Sequence, residues 1–527
     1  MIKISITAPI GYNGEDIISG ITARIPVTRD EASGYRIIRQ ALEVSKTDGI
    51  YYKMTVALSL SEERERGLLK MRKTVSGYTE ERLMPISAKS PLRPVVAGAG
   101  PAGLFAALYL AECGLSPIVL ERGLSVDERI KKVGTFFLLG ELDTECNVQF
   151  GEGGAGAFSD GKLKVGSLDK YKLKVLSALV DAGAPDEILY EVNAHLGTDK
   201  LPGIVKKVRM RAEELGASFI FGARLSDLKI KDGALVALEY EKDGKKSELC
   251  ASSLILATGH SARDIFTLLD EKGADMSARP FGLGVRIEHP REYINKIVYR
   301  SDGARLPSAS YHLVTHLRDG RSVYSFCMCP GGSVVAAASE REALTTNGMS
   351  EFSRSGENSN AALLVSVRPE DFGADGPLAG VAMQQKIERE TYRLGGGDYK
   401  APVQLLGDFL KGNASVGVGE VNPTYPRGFE LTSLDRCLPS CITDSLRAAI
   451  ADFDAWLPGY RLDSAPLTGS EVRSTSPVRV ERGETLEATK ISGVYPAGEG
   501  AGYAGGIISS AVDGLKCAEA LARRYEI

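Results

Sequence analysis

An α/β fold built around a parallel sheet is predicted by three features of this 527-residue sequence. A short apolar segment, 94–97, leads into a glycine-rich turn and then into a helical pattern over about 101–113. A second apolar segment, 116–120, follows the helix and ends in an acid. Strand, helix and strand in this order predict two parallel strands joined by a helix. The length of the chain predicts two or three domains.

Residues 1–88 precede this unit and predict a small N-terminal α/β domain. The segments "KISITAPI" and "GIYYKMTVALSL" have the patterning of strands, and a helix is expected over 33–46 between them. The charged run 62–73 is typical of the solvated face of a helix. Nothing in this region carries recognisable chemistry, so we expect an oligomerisation or docking role.

The turn after the first predicted strand has the spacing G-x-G-x-x-G, with Gly98, Gly100 and Gly103, which is typical of a dinucleotide-binding turn. Gly98 makes the tight turn, Gly100 lets a pyrophosphate approach the backbone, and Gly103 lets helix and strand pack closely. The predicted helix begins at Pro101, which has no N–H of its own, and from Ala102 onward its first turn supplies unpaired N–H groups for the phosphates. The alternative is a glycine-rich turn that binds nothing.

Glu121 ends the second predicted strand, where a carboxylate accepts hydrogen bonds from the ribose hydroxyls of the adenosine. A carboxylate there disfavours a 2′-phosphate, so FAD or NAD(H) fits better than NADP(H). We place Arg122, the next residue, in the same predicted site.

The same glycine spacing occurs twice more, at 151/153/156 and at 500/502/505. The second copy is followed by the turn-rich stretch "AFSDGKL", and the third by a helix with almost no chain beyond it. Neither copy therefore predicts an independent nucleotide-binding domain.

The first glycine turn with "ERG", "ILATGHSARD" at 255–264 and "GVYPAGEGAGYAGGI" at 493–507 together resemble the FAD-binding fold of the glutathione-reductase-type flavoproteins. More narrowly, the chain resembles the bacterial family of uncharacterised FAD-dependent dehydrogenases over nearly its whole length. That likeness includes "GEGGAGAFSDGKL", "PFGLGVRIEHP", "FCMCPGGSVV", "TNGMS" and "NSN". The resemblance implies a Rossmann-like FAD-binding domain formed by 92–274 and 466–527, with an inserted, mostly-β substrate or cap domain over 275–465.

The resemblance also implies further FAD-binding residues outside the first turn. They are Gly153, Gly154, Ser159 and Asp160 in the second glycine loop, Leu225 beside the adenine, Ala257, Thr258 and Gly259 at a strand end, and Gly498, Glu499, Gly505, Gly506 and Ile507 near the C-terminus. The broader pattern has Asp where this chain has Glu499, so the longer side chain sits differently. The alternatives are a surface turn for the second loop, and for the third a turn that packs a helix on a sheet.

Cys327 and Cys329 are candidate catalytic residues, as a thiolate near the flavin or as a readily reduced disulfide. Their alternative is a pair of core cysteines on one strand face. Arg473, a third candidate, begins "RSTS", which offers a cation and hydroxyls to an anionic or carbonyl substrate, or forms a polar surface strand. For His260 and His289 a packing or turn role is expected, and no ligand spacing predicts a metal site.

Composition excludes several other classes. The net charge of −4 gives no electrostatic footprint for nucleic acid, and no apolar run is long enough for a membrane span. The eight cysteines are spread along the chain, which favours reduced thiols in the cytoplasm. The oligomeric state is left open.

The sequence therefore predicts a cytoplasmic FAD-dependent oxidoreductase, a dehydrogenase or reductase that holds FAD non-covalently. It would transfer hydride to or from an unidentified small organic substrate, and NAD(P)H would visit the cleft as a transient reductant. The alternative is a flavoprotein in which FAD is a structural or redox-sensing element and a macromolecular partner docks. A flavin-dependent RNA-modifying enzyme ranks third, because the charge balance is acidic.

Overall fold

The computed structural model describes residues 1–45, 49–71, 73–164, 168–300 and 306–527. Within those ranges, no helix combines the length and the apolar character that a membrane crossing needs.

The α-helices are α1 Gly14–Thr22, α2 Arg29–Ser33, α3 Glu62–Leu68, α4 Pro101–Glu112, α5 Val126–Leu139, α6 Lys170–Asp181, α7 Gly197–Glu214, α8 Arg263–Glu271, α9 Arg291–Tyr299, α10 Ala379–Leu394, α11 Leu406–Lys411, α12 Ser440–Trp456 and α13 Ile507–Arg523. The strands are β1 Ile2–Ala8, β2 Arg36–Ser45, β3 Gly49–Leu58, β4 Val75–Gly77, β5 Val95–Ala97, β6 Ile118–Glu121, β7 Lys162–Lys164, β8 Asn193–His195, β9 Ser218–Phe221, β10 Ala223–Lys231, β11 Ala234–Lys242, β12 Lys245–Cys250, β13 Leu254–Leu256, β14 Met276–Ala278, β15 Phe281–Pro290, β16 Val314–His316, β17 Ser322–Cys329, β18 Gly332–Ala336, β19 Thr346–Ser350, β20 Asn358–Val367, β21 Ala401–Leu405, β22 Phe429–Leu431, β23 Pro466–Glu471, β24 Val478–Val480 and β25 Val494–Pro496.

The chain packs into two compact units. Unit one comprises Met1–Met84, Lys162–His195 and Tyr299–Pro307. Unit two comprises Pro85–Gly161, Leu196–Val298 and Ser308–Ile527. The division into domains 1–88, 92–274 plus 466–527, and 275–465 stays a prediction.

Unit one contains a four-stranded antiparallel sheet in the order β2-β3-β1-β4. Ile2, Ile4 and Ile6 of β1 alternate with more exposed residues, as expected for a strand with one buried face. Ile17 and Ile21 of α1 are buried in the same core cluster. The alternating pattern in β1 thus buries one face of the sheet under a helix.

The helix predicted over 33–46 is wrong, because residues Arg36–Ser45 form strand β2. This strand pairs antiparallel with β3, Gly49–Leu58. The β-branched side chains of Ile37, Ile38 and Val44 favour an extended backbone. Apolar spacing over a short segment fits either structure, and here the neighbouring strand decides between them.

Unit two contains a five-stranded parallel sheet in the order β25-β13-β5-β6-β9. β5 and β6 flank α4 in the chain, so the strand–helix–strand unit predicted from the sequence is present. The late strand β25 pairs with β13 in this sheet. The α/β fold class with its parallel sheet is therefore confirmed.

The predicted mostly-β region is also confirmed, as a seven-stranded sheet in the order β16-β17-β20-β15-β23-β21-β22. Its central strands β15 and β20 pair antiparallel from Phe281↔Val367 to Pro290↔Asn358. Nearly every residue of β15 and β20 is buried, so both faces of the sheet are covered there. A bulge interrupts the pairing of β17 with β20 between Phe326 and Cys329.

Candidate functional site

One cavity in unit two is lined by most of the residues predicted to bind a cofactor. It encloses about 1550 Å³ of empty space, including some open to solvent, and lies at the carboxyl ends of β5, β6, β13 and β25. Ligands of open α/β sheets bind at this edge. The predicted residues that line it are Gly98, Gly100, Pro101, Ala102, Glu121, Arg122, Gly154, Ser159, Leu225, Ala257, Thr258, Gly259, Cys327, Arg473, Glu499, Gly505, Gly506 and Ile507. Gly103, Gly153, Asp160, Gly498 and Cys329 are described but lie outside the lining.

The first glycine turn brings β5 and α4 into direct contact. A Cβ on Gly103 would lie 1.8 Å from the carbonyl oxygen of Gly98, and a Cβ on Gly98 would lie 2.4 Å from that of Ala257. Gly100 is different, because its nearest neighbour would be the Cα of Gly154 at 3.7 Å. Two of the glycines are thus needed for backbone packing, while Gly100 borders open cavity space.

Two helices begin at this cavity without a side-chain cap. Gly100 precedes α4 and Gly506 precedes α13, and neither offers a side-chain oxygen to the first N–H groups. Both glycines line the cavity. The first turn of a helix presents unpaired N–H groups and the positive end of the helix dipole, so two sets of anion-binding groups face one space.

Glu121 has backbone partners that the sequence did not reveal. Its carboxylate accepts hydrogen bonds from the amides of Ala99 at 2.7 Å, Gly123 at 2.8 Å and Gly151 at 3.0 Å. The buried carboxylate therefore ties together the first and second glycine loops. A carboxylate has about four acceptor positions, so one is left for a ribose hydroxyl.

The neighbouring Arg122 is held by the protein itself. Its guanidinium binds Asp264 at 2.7 Å and Glu145 at 3.2 Å. It also stacks on the ring of Phe150, 4.3 Å from the ring centroid. Arg122 and Phe150 thus form a flat wall of the cavity, a feature that the sequence pattern gave no means of identifying.

The second glycine loop packs against the first. Gly153 donates a backbone hydrogen bond to Ala99 at 2.8 Å, and Ser159 lines the cavity. Asp160 instead is buried in an ion pair with Arg354, at 2.5 Å, and accepts a hydrogen bond from Ser350. Its carboxylate is therefore engaged inside the protein rather than at the cavity wall.

The bulge in β17 separates the two cysteines of "FCMC". Cys327 has a φ of +41°, an uncommon value for a residue with a side chain, and lines the cavity. Cys329 is fully buried, and its thiol contacts the carbonyl oxygen of Cys327 at 3.3 Å. Both lie in the described part of the chain, where no disulfide joins them. Only Cys327 is placed to meet a ligand.

Arg286 organises the cavity wall around Cys327. Its side chain is fully buried, and its five N–H groups reach the carboxylate of Glu471 twice, the carbonyl of Cys327 and the side-chain oxygens of Asn347 and Asn360. Glu471, Asn347 and Cys327 line the cavity. Arg286 and Glu471 were not predicted as site residues from the sequence, although Arg286 lies within the segment "PFGLGVRIEHP".

Glu499 is half-buried in the same wall; its backbone carbonyl accepts a hydrogen bond from the amide of Gly502 at 3.0 Å, and its carboxylate makes no hydrogen bond or ion pair with another described residue. Burial and, second, the nearby Cys327 raise the pKa of Glu499 to about 7. Burial also raises the pKa of Glu471, against the opposing effect of Arg286. Glu499 is thus a cavity acid that gains and loses its proton near neutral pH.

Arg473 lines the cavity, but its charge is compensated. Its guanidinium binds the buried carboxylate of Glu388 at 2.7 Å and 2.8 Å and also donates to Ser339. Burial, then Arg473 and Arg263, lower the pKa of nearby His260 to about 3, so its ring is neutral at physiological pH. The wall offers hydrogen-bonding groups rather than an uncompensated cation.

His289 lies outside the cavity. Its Nε2 is 2.9 Å from the carbonyl oxygen of Tyr460, and its ring stacks on Tyr293. This arrangement agrees with the expected packing role. Across the described ranges, no three His, Cys, Asp or Glu side chains are grouped closely enough to hold a metal ion.

Comparison with known proteins identifies relatives of the chain. Residues 280–474 match the family described as "FAD-dependent protein, C-terminal domain-like". An uncharacterized protein of Clostridium beijerinckii is 44% identical over 515 residues, which cover 96% of each chain.

Solved structures of flavoproteins align with the chain at low identity and low TM-score. A flavin-dependent brominase is 12% identical with a TM-score of 0.38, over 82% of this chain and 80% of that one. Glycerol-3-phosphate dehydrogenase from Bacillus halodurans, complexed with FAD, is 10% identical with a TM-score of 0.35, over 83% and 65%. The chain belongs to the same family as the Clostridium beijerinckii protein.

Proposed function

We propose that the cavity of unit two holds FAD non-covalently, and that the protein is an oxidoreductase acting on a small organic molecule. The observation that carries this proposal is the pair of uncapped helix N-termini, at Gly100 and Gly506, that border one cavity at the carboxyl edge of a parallel sheet. The match of residues 280–474 to a FAD-dependent family supports it. The glutathione-reductase-type subclass, the FAD-binding residues and the three-domain division belong to the same proposal.

The residues of the cavity fit the parts of this cofactor. The N-terminus of α4 and the open space beside Gly100 suit a pyrophosphate. Glu121 has an acceptor position left for the ribose, and the wall of Arg122 and Phe150 suits a flat aromatic group. The N-terminus of α13 at Gly506 suits the electron-rich end of the flavin ring.

Bound FAD supplies hydride transfer at its flavin ring. The chain's own residues bind and orient the substrate and handle its proton. Glu499, with a pKa of about 7, holds or releases a proton at its carboxylate at neutral pH. Arg286 fixes the orientation of Glu471 and Asn347. Because Arg122 and Arg473 are already paired with carboxylates, the cavity favours a neutral substrate, such as a carbonyl compound, over an anion.

The first test is spectroscopic. The purified protein is expected to be yellow and to absorb at about 450 nm, with the cofactor released by denaturation because it is not covalently bound. Mixing with NADH or NADPH without air is expected to bleach this absorbance, which returns on adding oxygen or an acceptor. A colourless protein that takes up no FAD contradicts the proposal.

A retained flavin that is indifferent to both nucleotides points to the alternative function. FAD would then be a structural or redox-sensing element, reduced by another donor, and the N-terminal domain, residues 1–88, would recruit a macromolecular partner. Pull-down with the full chain in its oxidised and its reduced form tests this outcome, since a partner should be captured in one flavin redox state only.

A further inference from the structure

Two arginines on neighbouring strands meet at the third glycine loop. Arg479 lies in β24, and Arg279 follows β14, which pairs antiparallel with β24. Both guanidinium groups donate to the backbone carbonyl oxygen of Gly502. Because they share one acceptor, they lie close enough together for a single oxyanion to bridge them.

Neither guanidinium forms an ion pair with a carboxylate among the described residues. The acids of this region have other partners: Asp513 binds Arg482 at 2.6 Å and Asp275 binds Lys490 at 2.5 Å. Burial and, second, the like charge of Arg479 lower the pKa of Arg279. The Nε of Arg479 is buried without any hydrogen-bond partner. The two guanidinium charges and the unpaired N–H of Arg479 therefore give this point the groups that bind an anion.

The surrounding residues hold these arginines in place. The ring centroid of Tyr503 lies 4.9 Å from the guanidinium carbon of Arg479 and 3.7 Å from that of Arg482. Gly502 has a φ of +85°, and a Cβ there would lie 3.1 Å from the Cδ of Arg279 and 2.8 Å from the carbonyl oxygen of Val478. The glycine thus lets the loop lie directly against the arginine.

The site borders the cavity without being part of it. Gly505 and Gly506 of the same loop line the cavity, whereas Arg279, Arg479 and Gly502 do not. The third glycine loop therefore has one side toward the cavity and another toward the arginine pair. A ligand bound to Arg279 and Arg479 would lie beside the N-terminus of α13 and not in the space assigned to FAD.

We propose that Arg279 and Arg479 form a binding site for a phosphate group. Guanidinium forks bind phosphate oxygens in pairs, and a phosphate monoester carries nearly two negative charges at neutral pH, which matches two uncompensated cations. The phosphate belongs either to a nucleotide or to free inorganic phosphate. The site does not depend on the proposed FAD chemistry.

The test is calorimetric titration of the full chain, with FAD in excess so that phosphate-binding groups in the cavity are occupied. The probes are inorganic phosphate and adenosine 2′,5′-bisphosphate. Arg279→Gln and Arg479→Gln are each expected to weaken binding about tenfold or more, through loss of a charged hydrogen-bonding group. Arg318→Gln removes an exposed arginine without an ion pair in the described residues and is expected to bind like the wild type.

Tighter binding of the bisphosphate than of phosphate identifies a nucleotide ligand, and equal binding identifies inorganic phosphate. Failure of both probes to bind at millimolar concentration overturns the proposal, as does wild-type affinity in both glutamine variants. Thermal midpoints without probe show whether the variants fold. If either glutamine variant does not fold, Arg479→Lys keeps the charge, loses the fork and is expected to bind several-fold more weakly. A colourless protein that still binds phosphate would refute the flavin proposal alone.

Discussion

Glu388 and Arg473 are joined by two hydrogen bonds, of 2.7 Å and 2.8 Å, with the carboxylate fully buried. The same carboxylate accepts two more from Arg263, at 2.8 Å and 2.9 Å. Although burial opposes ionisation, the two arginines lower the pKa of Glu388 to about 2. This buried anion thus compensates one of the two positive charges beside the cavity, and Glu340, which binds Arg263 at 2.6 Å, supplies a second negative charge.

Replacing Glu388 by Gln is expected to destabilise the protein by about 3–5 kcal/mol, because it leaves buried guanidinium groups without their counter-charge. Glu340 offers a matched control, since its carboxylate also binds Arg263, at 2.6 Å, but is 30% exposed. Glu340→Gln is expected to cost about 1 kcal/mol or less. Thermal midpoints of both variants test this. Equal shifts of the midpoint would show that burial of the carboxylate does not determine how much each ion pair contributes to stability.

Different glycines of the first glycine turn are expected to serve backbone packing and cofactor binding. Gly103→Ala is expected to prevent normal folding, because its Cβ would lie 1.8 Å from a backbone oxygen that cannot move away cheaply. Gly100→Ala makes only an ordinary contact at 3.7 Å, so the fold is kept, but the methyl group occupies the space assigned to the pyrophosphate. We expect a wild-type thermal midpoint with FAD affinity reduced about tenfold or more.

Gly134→Ala is the control for this pair. Gly134 lies half-buried within helix α5 with no atom within 4 Å of the added Cβ, so the change is expected to leave FAD affinity unaltered and stabilise the helix by about 1 kcal/mol. FAD titration by fluorescence quenching measures the affinities. If Gly100→Ala binds FAD as tightly as the wild type, no phosphate approaches this glycine.

Local signals allowed the parallel sheet and its first helix to be predicted. The apolar segments at β5 and β6 and the turn from Gly98 to Gly103 are all within about 30 residues, and their pattern alone specifies strand, helix and strand. The same reasoning failed over 33–46. There a short apolar pattern fitted a helix equally well, and pairing with β3 determined the strand.

The partners of the cavity residues lie too far apart in the chain to be read from it. Glu388 is more than a hundred residues from Arg263, and the hydrogen bond from Arg286 to Glu471 spans 185 residues. The separation of Cys327 from Cys329 depends on a β-bulge that only the register with β20 reveals. Residue types and their spacing in the sequence therefore identified candidate residues. Contacts between distant parts of the chain determine the charge state and orientation of those residues.

The raised pKa of Glu499 predicts a pH-dependent stability. An ordinary glutamate has a pKa of 4.5, against about 7 here, so the folded protein binds one more proton than the unfolded chain between these values. This contribution to stability is full below pH 4.5 and is lost as the pH rises through 7. Glu499→Gln cannot ionise, so in ligand-free protein it is expected to be more stable than the wild type at pH 8.

Thermal midpoints of the wild type and Glu499→Gln at pH 5 and pH 8 provide the measurement. The difference in thermal midpoint between Glu499→Gln and the wild type is expected to grow in favour of the variant from pH 5 to pH 8, because only the wild type must bury a charge at the higher pH. Glu340→Gln, at a partly exposed ion pair, controls for general loss of a carboxylate. A constant difference across the range would mean that Glu499 titrates as an ordinary glutamate.

The position of Cys327 predicts a thiol that a bound cofactor protects. Cys327 is half-buried in the cavity lining, Cys329 is fully buried, and Cys250 is exposed on β12. Brief treatment with iodoacetamide is expected to alkylate Cys250 and Cys327 but not Cys329, as mass spectrometry of peptides would report. Excess FAD is expected to slow alkylation of Cys327 several-fold and to leave Cys250 unchanged, because only Cys327 shares its space with the ligand. If FAD binds but Cys327 reacts at the same rate, the cofactor lies in another part of the protein, and the cavity loses its assignment.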